Sequence, residues 1–554
     1  MPEGIQKEVR RRLLVTLSVI LFFPSHALAS VSPDEMAHVV NRFNSDNMQN
    51  QIGYLAFPRS SGLDVRDSFL LGMSLDSSEK PEELKICKSI DDAPCESLTN
   101  FTVASILPNC DDSIKIDCIA EFFASDSSGK KLEVELGVEF KEADHNQFAG
   151  NAELGIPTGS SPTLYRVPGA PHEFGDHYLA IATRSGHWSR SEGAMKIFDN
   201  TSVALYAVKT VAGKFTRFQP SLNTADYQSK NQITTYGTDS NCIYNNSEVC
   251  AVATALPIDL NFGFRLRYSS LSQNWFHGRL MNPTVSVEEL PRGGVEVVVE
   301  GSPVNSSGFF ILKQRPDLPP TVVARHDSAA GKGVCVGSDK EASCYDSNLW
   351  QTSEGMDNFL DWLDVAGDRA SFDPTIWNFN AMNQELNHPR ASICTRKGTL
   401  VGVVSTNATQ YIAGPPTFNE ETQDLEYQVA APHLDSDGEV FKGSYDLTID
   451  KDFARCLYQI DGVVIKATVN VVSESGQLVA ATTTQREKSG WMQLSARNFS
   501  FSSPIIKVNL LSSNPITATE KNKKSNKKVT CIKGAKSKVL KLGKTKCPKG
   551  YKRS

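Results

Sequence analysis

Most of the usual signatures of chemistry are missing from this chain of 554 residues. There is no Gly-x-Ser-x-Gly, the strained elbow that exposes a hydrolase serine, and no His-Glu-x-x-His, which aligns two zinc ligands on a helix. Neither Gly-x-x-x-x-Gly-Lys nor Gly-x-Gly-x-x-Gly occurs, so no phosphate-cradling loop points to a nucleotide. The partial match Gly543-Lys544-Thr545 lacks the upstream glycine and belongs to a basic tail. The absence of Cys-x-x-Cys removes a redox pair or a zinc ribbon. No internal repeat has a clear period. The regular strand-helix alternation of a two-lobed small-ligand binder is also absent, which disfavours that class.

What is present begins with an export signal. Lys7, Arg10, Arg11 and Arg12 precede an apolar stretch from Leu13 to Phe23, then Pro24 and Ala27-Leu28-Ala29. Charged region, apolar core and small-x-small site follow in the order of a signal peptide, with cleavage expected between Ala29 and Ser30. The stretch is shorter than the roughly 20 residues of a membrane span, so an uncleaved anchor is the lesser reading. No second long apolar run follows, and no transmembrane span is expected after cleavage. The expected location is extracellular or at the cell surface.

The cysteines agree with export, because all 12 follow the expected cleavage site. Cys87 and Cys95, Cys110 and Cys118, Cys242 and Cys250, and Cys335 and Cys344 form close couples around polar turns. Sequential pairing is the least demanding choice and adds Cys394 with Cys456 and Cys531 with Cys547, although sequence alone leaves connectivity open. The longest of these loops, from Cys394 to Cys456, is worth roughly 4 kcal/mol by chain entropy.

Period-two patterns dominate the body. Phe262, Phe264, Leu266 and Tyr268 alternate with Gly263, Arg265 and Arg267; Val295, Val297 and Val299 form a second set, and Ile465, Ala467, Val469 and Val471 a third. With frequent turn signals between them, these predict a mainly β, multi-domain, antiparallel β-sandwich-like architecture, stapled by disulfides and with few short helices. One helix is expected to start at Ser32-Pro33 and carry Met36, Val39, Val40 and Phe43 on one face; another is expected over Met356 to Ala370. Stretches rich in Pro, Gly and Ser at 155–171 and 301–332 suggest boundaries. The expected units are 1–29 signal, 30–155, 156–320 and 333–512 β domains, a Lys-rich linker at 513–528 and a disulfide-closed tail at 529–554.

Several polar clusters are candidate sites. His172, Glu173, Asp176 and His177, with His187 nearby, carry metal-ligating or acid/base groups. Yet the five-residue spacing of the two imidazoles misaligns them on strand or helix, and Gly169, Pro171 and Gly175 favour a polar loop. Asp435-Ser436-Asp437-Gly438-Glu439 offers carboxylates for calcium, the one cofactor weighed, but lacks the distal glutamate of an EF-hand and reads better as a hairpin turn. Asp357, Asp361, Asp364 and Asp368 recur at helical spacing and read as a solvated face. Asn274-Trp275-Phe276-His277-Gly278-Arg279 is either a sugar-stacking patch or, the preferred reading, core beside a strand. Sequons at Asn100, Asn200, Asn245, Asn305, Asn407 and Asn498 matter only in a host that glycosylates them.

Charge is split between body and tail. From Lys521 to Ser554 there are 14 Lys and Arg and no acid, while the whole chain is net −6, so the body is strongly acidic. Lys523, Lys524, Lys527, Lys528, Lys533, Lys536, Lys538, Lys541, Lys544 and Lys546 are the candidate contacts for anionic envelope polymers or glycans. Any polycation binds nucleic acid weakly, so no specific nucleic-acid partner is implied.

Local strings add a resemblance. Trp275-Phe276-His277-Gly278-Arg279, Thr406-Asn407-Ala408, Gly414-Pro415-Pro416, Ala454-Arg455-Cys456-Leu457-Tyr458, Gly490-Trp491 and Phe499-Ser500-Phe501-Ser502-Ser503-Pro504 resemble uncharacterised exported proteins of aquatic actinobacteria. The ends Thr530-Cys531-Ile532-Lys533-Gly534 and Lys546-Cys547-Pro548-Lys549-Gly550-Tyr551-Lys552 resemble a short basic two-cysteine C-terminal module of that group. The resemblance implies export and a bacterial envelope setting, and it carries no activity. The leading expectation is a non-catalytic secreted or cell-surface protein, the rival a secreted hydrolase acting on polysaccharide or peptide.

Overall fold

The computed structural model describes residues 51–58, 67–75, 81–140, 147–191, 197–215, 242–328, 334–336, 343–347, 351–512, 529–533, 536–540 and 552–553, apart from 272, 292, 383–385, 397, 461–463, 474–476 and 502–504. The expected signal at 1–29, the helix expected after Ser32 and the expected linker at 513–528 lie outside these residues. The chain is mainly β, with antiparallel pairing dominant.

A central sheet runs through eleven strands in the order Thr482–Lys488, Trp491–Ser500, Lys442–Asp450, Gly402–Thr406, Trp275–Arg279, Thr375–Ala381, Ile197–Ala212, His177–Ser189, Asn100–Ile106, Phe69–Leu75 and Pro81–Ile86. It is covered on both faces, as neighbouring residues of single strands show. Val403 and Phe276 enter a core with Phe262, Phe264, Leu266, Val297 and Val299 of a four-stranded sheet. Val404 and Trp275 enter a different core, with Leu425, Tyr427, Ile506 and Val508 of another sheet. Alternate side chains point to opposite faces of a strand, so these strands are the middle layer of a three-layer stack.

The period-two runs form the outer layers. Phe262, Phe264, Leu266 and Tyr268 are fully buried, and the Asn261–Tyr268 strand pairs with both Val295–Ser302 and Cys118–Ser125. Burying four such side chains is worth about 2 kcal/mol each. On the solvent side of this sheet Glu296 accepts from Arg265 at 2.7 Å and from Arg267 at 3.0 Å. A buried Arg184–Asp117 ion pair ties this layer to the central sheet, with Arg184 also donating to Ser270 O at 2.9 Å.

Strand pairing cuts across the expected consecutive domains. Asn100–Ile106 pairs with His177–Ser189, Trp275–Arg279 runs parallel to Gly402–Thr406, and Gln51–Ala56 lies between Phe309–Gln314 and Ser343–Ser347. Boundaries at 155/156 and 320/333 therefore correspond to no break in the sheets. The Pro- and Gly-rich stretches mark turns and, at Pro319-Pro320, the start of the Pro320–Ser328 helix, where proline fits because its missing N–H has no intrahelical partner.

The helix expected over 356–370 spans Ser353–Val365, with Thr352 accepting from Gly355 N at 3.1 Å as its N-cap. Met356, Phe359 and Trp362 bury one face against Tyr54 and Phe309. Positive φ at Gly367 and Asp368 stops the helix before Ala370. Of the acids on its other face, Asp361 pairs with Arg325 at 2.9 Å, and Asp368, beyond the helix, accepts from His433 N at 2.7 Å.

Four expected disulfides are present: Cys87–Cys95, Cys110–Cys118, Cys242–Cys250 and Cys394–Cys456. The last joins the Pro389–Cys394 and Lys451–Tyr458 helices. Cys335 faces Cys344 in register across Val334–Val336 and Ser343–Ser347; their side chains, and the Cys531–Cys547 pairing, lie outside what is described.

Candidate functional site

The His172 loop closes on itself. It connects Thr163–Arg166 to His177–Ser189, which pair as Arg166 opposite His177. His172 Nε2 lies 3.0 Å from His177 O, and Nδ1 accepts from Phe174 N at 3.3 Å, so both nitrogens of the half-buried ring serve the loop backbone. That pattern fixes the Nε2–H tautomer, and burial lowers the pKa of the ring, keeping it neutral. Asp176 is taken by Arg166 at 3.1 Å, whose pKa rises through that bond and its pair with Glu135. Glu173 reaches Thr254 Oγ1 at 3.5 Å. The four residues do not converge on a point. Among the described residues the one group of such ligands within reach of each other is Cys87, Asp92 and Cys95, whose sulfurs form a disulfide.

The calcium candidate is a turn. Asp435 Oδ1 accepts from Asp437 N at 3.1 Å and Glu439 N at 2.8 Å, Leu434 bridges Val440, and Gly438 takes φ 88°. A carboxylate that gathers backbone N–H groups mimics a backbone turn. Asp126 and Asp111 do the same, each accepting a Ser N–H and hydroxyl two residues on, which lowers their pKa values.

The Trp275–Arg279 strand is interior, so it offers no surface for stacking on a sugar. All five residues are buried because both faces of the strand are covered. A Cβ at Gly402 would lie 2.1 Å from the Trp275 ring, which is why only glycine fits there. His277 stacks on Tyr411 with centroids 3.7 Å apart, and neither of its nitrogens has a hydrogen-bond partner among the described residues. Burial first, and the Arg279 charge second, hold its pKa well below the ordinary value. Arg279 donates to Thr406 O at 3.1 Å, Thr409 O at 3.3 Å and Ala408 O, and burial draws its pKa down to about 10. The sequon residues Asn245 and Asn407 are buried as well; Asn407 clamps the Lys442 and Ser444 backbone.

Sequence reasoning missed a cleft of about 370 Å³ between two disulfide loops. Lys88, beside Cys87–Cys95, and Asn109 and Asp111, flanking Cys110, form its rim; Gln147, Phe148, Thr158 and Ser160 contribute from the other side. Phe148 and Gly159 exchange backbone hydrogen bonds at 3.3 and 3.1 Å, and a Cβ at Gly159 would meet the Phe148 ring at 2.2 Å. One carboxylate, Asp111, lines it, whereas glycoside hydrolysis takes two. Its residues run from Lys88 to Ser160, and no motif joins them.

The tail forms a separate three-stranded sheet of Lys536–Leu540, Val529–Lys533 and Lys552–Arg553. Lys533 is opposite Lys536, and Cys531 is opposite both Lys538 and Arg553. Lys523, Lys524, Lys527, Lys528, Lys541, Lys544 and Lys546 lie outside the described residues.

The fold and disulfides define a mainly β, disulfide-stapled protein, and no described helix is long and apolar enough to cross a membrane. No protein-family model matches the chain, and no curated protein matches it.

Proposed function

We propose that this is an exported, non-catalytic binding protein held to anionic polymers of a bacterial envelope by its C-terminal module. The observation that carries this reading is the register of the tail sheet. The backbone register sets Lys533 opposite Lys536 and places Lys538 and Arg553 both opposite Cys531, so cationic positions of three strands fall in register. Like charges held opposite one another repel, and a polyanion converts that cost into attraction. The flanking sequence strengthens it, since Lys521 to Ser554 carries 14 Lys and Arg and no Asp or Glu. The disulfides fit an oxidising compartment, and the N-terminal signal fits export.

The test is co-sedimentation of the chain from Ser30 to Ser554 with actinobacterial cell walls, beside a version ending at Glu520. The full chain should pellet at low salt and be released as the screening length falls from about 10 Å at 0.1 M to about 3 Å at 1 M. The truncated version should stay in solution. Equal pelleting of both, or retention indifferent to salt, overturns the proposal.

A further inference from the structure

We infer that the cleft between the Cys87–Cys95 and Cys110–Cys118 loops is a binding site for one hydroxyl-rich sugar residue of a glycan. The inference stands on the body of the protein and is independent of the tail.

Size comes first. A volume of about 370 Å³ falls at the small end of ligand sites, whose range is roughly 300–1,000 Å³. The lining is more polar than such sites usually are, which selects a ligand that is itself mostly polar. Its polar groups are of complementary kinds. Asp111 spends one oxygen, Oδ1, on Ser113 and Ile114, and its other oxygen makes no hydrogen bond among the described residues. A carboxylate oxygen only accepts, so it calls for O–H or N–H on the ligand. The Gln147 amide, exposed at the rim, has no partner among the described residues and both donates and accepts.

Ser160 is the most telling member. It is 6% exposed, its N–H donates to Ile106 O at 2.9 Å, and its carbonyl accepts from Ser68 Oγ at 2.6 Å. Its hydroxyl makes no hydrogen bond among the described residues and lines the cleft, open to whatever occupies it. A ligand hydroxyl would satisfy it. Between these groups lie apolar surfaces of Pro108, Ile114 and Phe148. A pyranose has hydroxyls at its edge and C–H groups on its faces, and the lining offers a match for both.

The walls are also held in place. Each rim loop is closed by a disulfide eight residues apart, and the Phe148–Gly159 bridge pins the opposite wall. Such a site loses little loop entropy on binding.

The test is saturation-transfer NMR on the chain from Ser30 to Ser554 with methyl glucoside, galactoside, mannoside and N-acetylglucosaminide at millimolar concentration. At least one should receive saturation, and Gln147→Ala with Ser160→Ala should weaken it about tenfold, as loss of two hydrogen bonds predicts. Neither substitution removes a hydrogen bond of the folded chain, so melting should not change. The version ending at Glu520 should bind the glycoside equally. Binding of none of the four, or binding unchanged in the double variant, overturns the inference. Wall retention lost on truncation with glycoside binding kept would separate the fate of the tail from that of the cleft.

Discussion

Two histidine-bearing segments, the His172 loop and the Trp275–Arg279 strand, carry similar chemistry and meet opposite fates. The loop lies at the surface, yet its imidazole is fully employed: both His172 nitrogens serve backbone groups. The strand lies in the middle layer, yet among the described residues His277 makes no hydrogen bond and stacks on Tyr411. Density of reactive side chains along a sequence therefore says little about availability. What decides is whether the backbone around them is satisfied by strands, as at residues 275–279, or needs side chains to close it, as at 172–177. In the strand the charge that matters is Arg279, which holds three carbonyls of the 406–409 turn together.

The largest expected effect follows from that difference. Arg279→Ala should cost about 4 kcal/mol, because it opens a buried space and orphans the carbonyls of Thr406, Ala408 and Thr409. Urea unfolding at neutral pH measures it, and a cost as small as that of a surface substitution would undo the contrast. Nearly as large is removal of the staple beside this strand. Phe453, in the helix that carries Cys456, packs edge-on against Trp275 with centroids 6.0 Å apart. Cys394→Ser with Cys456→Ser should cost roughly 4 kcal/mol, against about 2.5 kcal/mol for the pair Cys110→Ser with Cys118→Ser, because the entropy of the closed loop grows with its length.

Acid sharpens the comparison. The unfolded chain binds a proton at His277 near pH 6.5, and the folded chain refuses it until far lower pH, because burial and Arg279 oppose the charge. Stability tied to this residue is complete above about pH 6.5 and declines as pH falls, by at most about 1.4 kcal/mol per unit, until the folded pKa is reached. His172 shifts in the same direction less far, since its bond to His177 O offsets burial. His277→Phe should therefore lie within about 1 kcal/mol of the parent at pH 7.5 and flatten the acid limb below pH 6.5. His172→Phe should flatten it less, and an equal effect would mean that the two environments are alike.

The same contrast explains what the sequence made legible. Where one face of a sheet is buried, alternation is clean, and residues 262–268 and 295–299 were readable as strands with the correct side inward. Where both faces are covered, alternation vanishes, and Trp-Phe-His-Gly-Arg showed no period to betray an interior strand. Close cysteine couples were readable because short loops between turn residues leave little choice. The sheet order was not, since pairings such as Asn100 with Ser189 or Trp275 with Gly402 depend on three-dimensional packing that composition does not encode. For the same reason the cleft was invisible: its walls come from separate loops, and its most telling group is a serine.

The smallest expected effect lies in the loop. Asp176 and Arg166 are partly exposed, so Asp176→Asn should cost no more than about 0.5 kcal/mol despite the short ion pair. More decisive is zinc. A metal bound only by the folded chain at one hundred times its Kd would add about 2.7 kcal/mol, whereas the His172 ring, already committed to backbone groups, has no lone pair to give without opening the loop. Thermal unfolding in submillimolar zinc should therefore match unfolding in chelator. A rise in Tm that His172→Phe abolishes would show that the loop surrenders its hydrogen bonds to a ligand, and that a surface histidine employed by its own backbone is still available for chemistry.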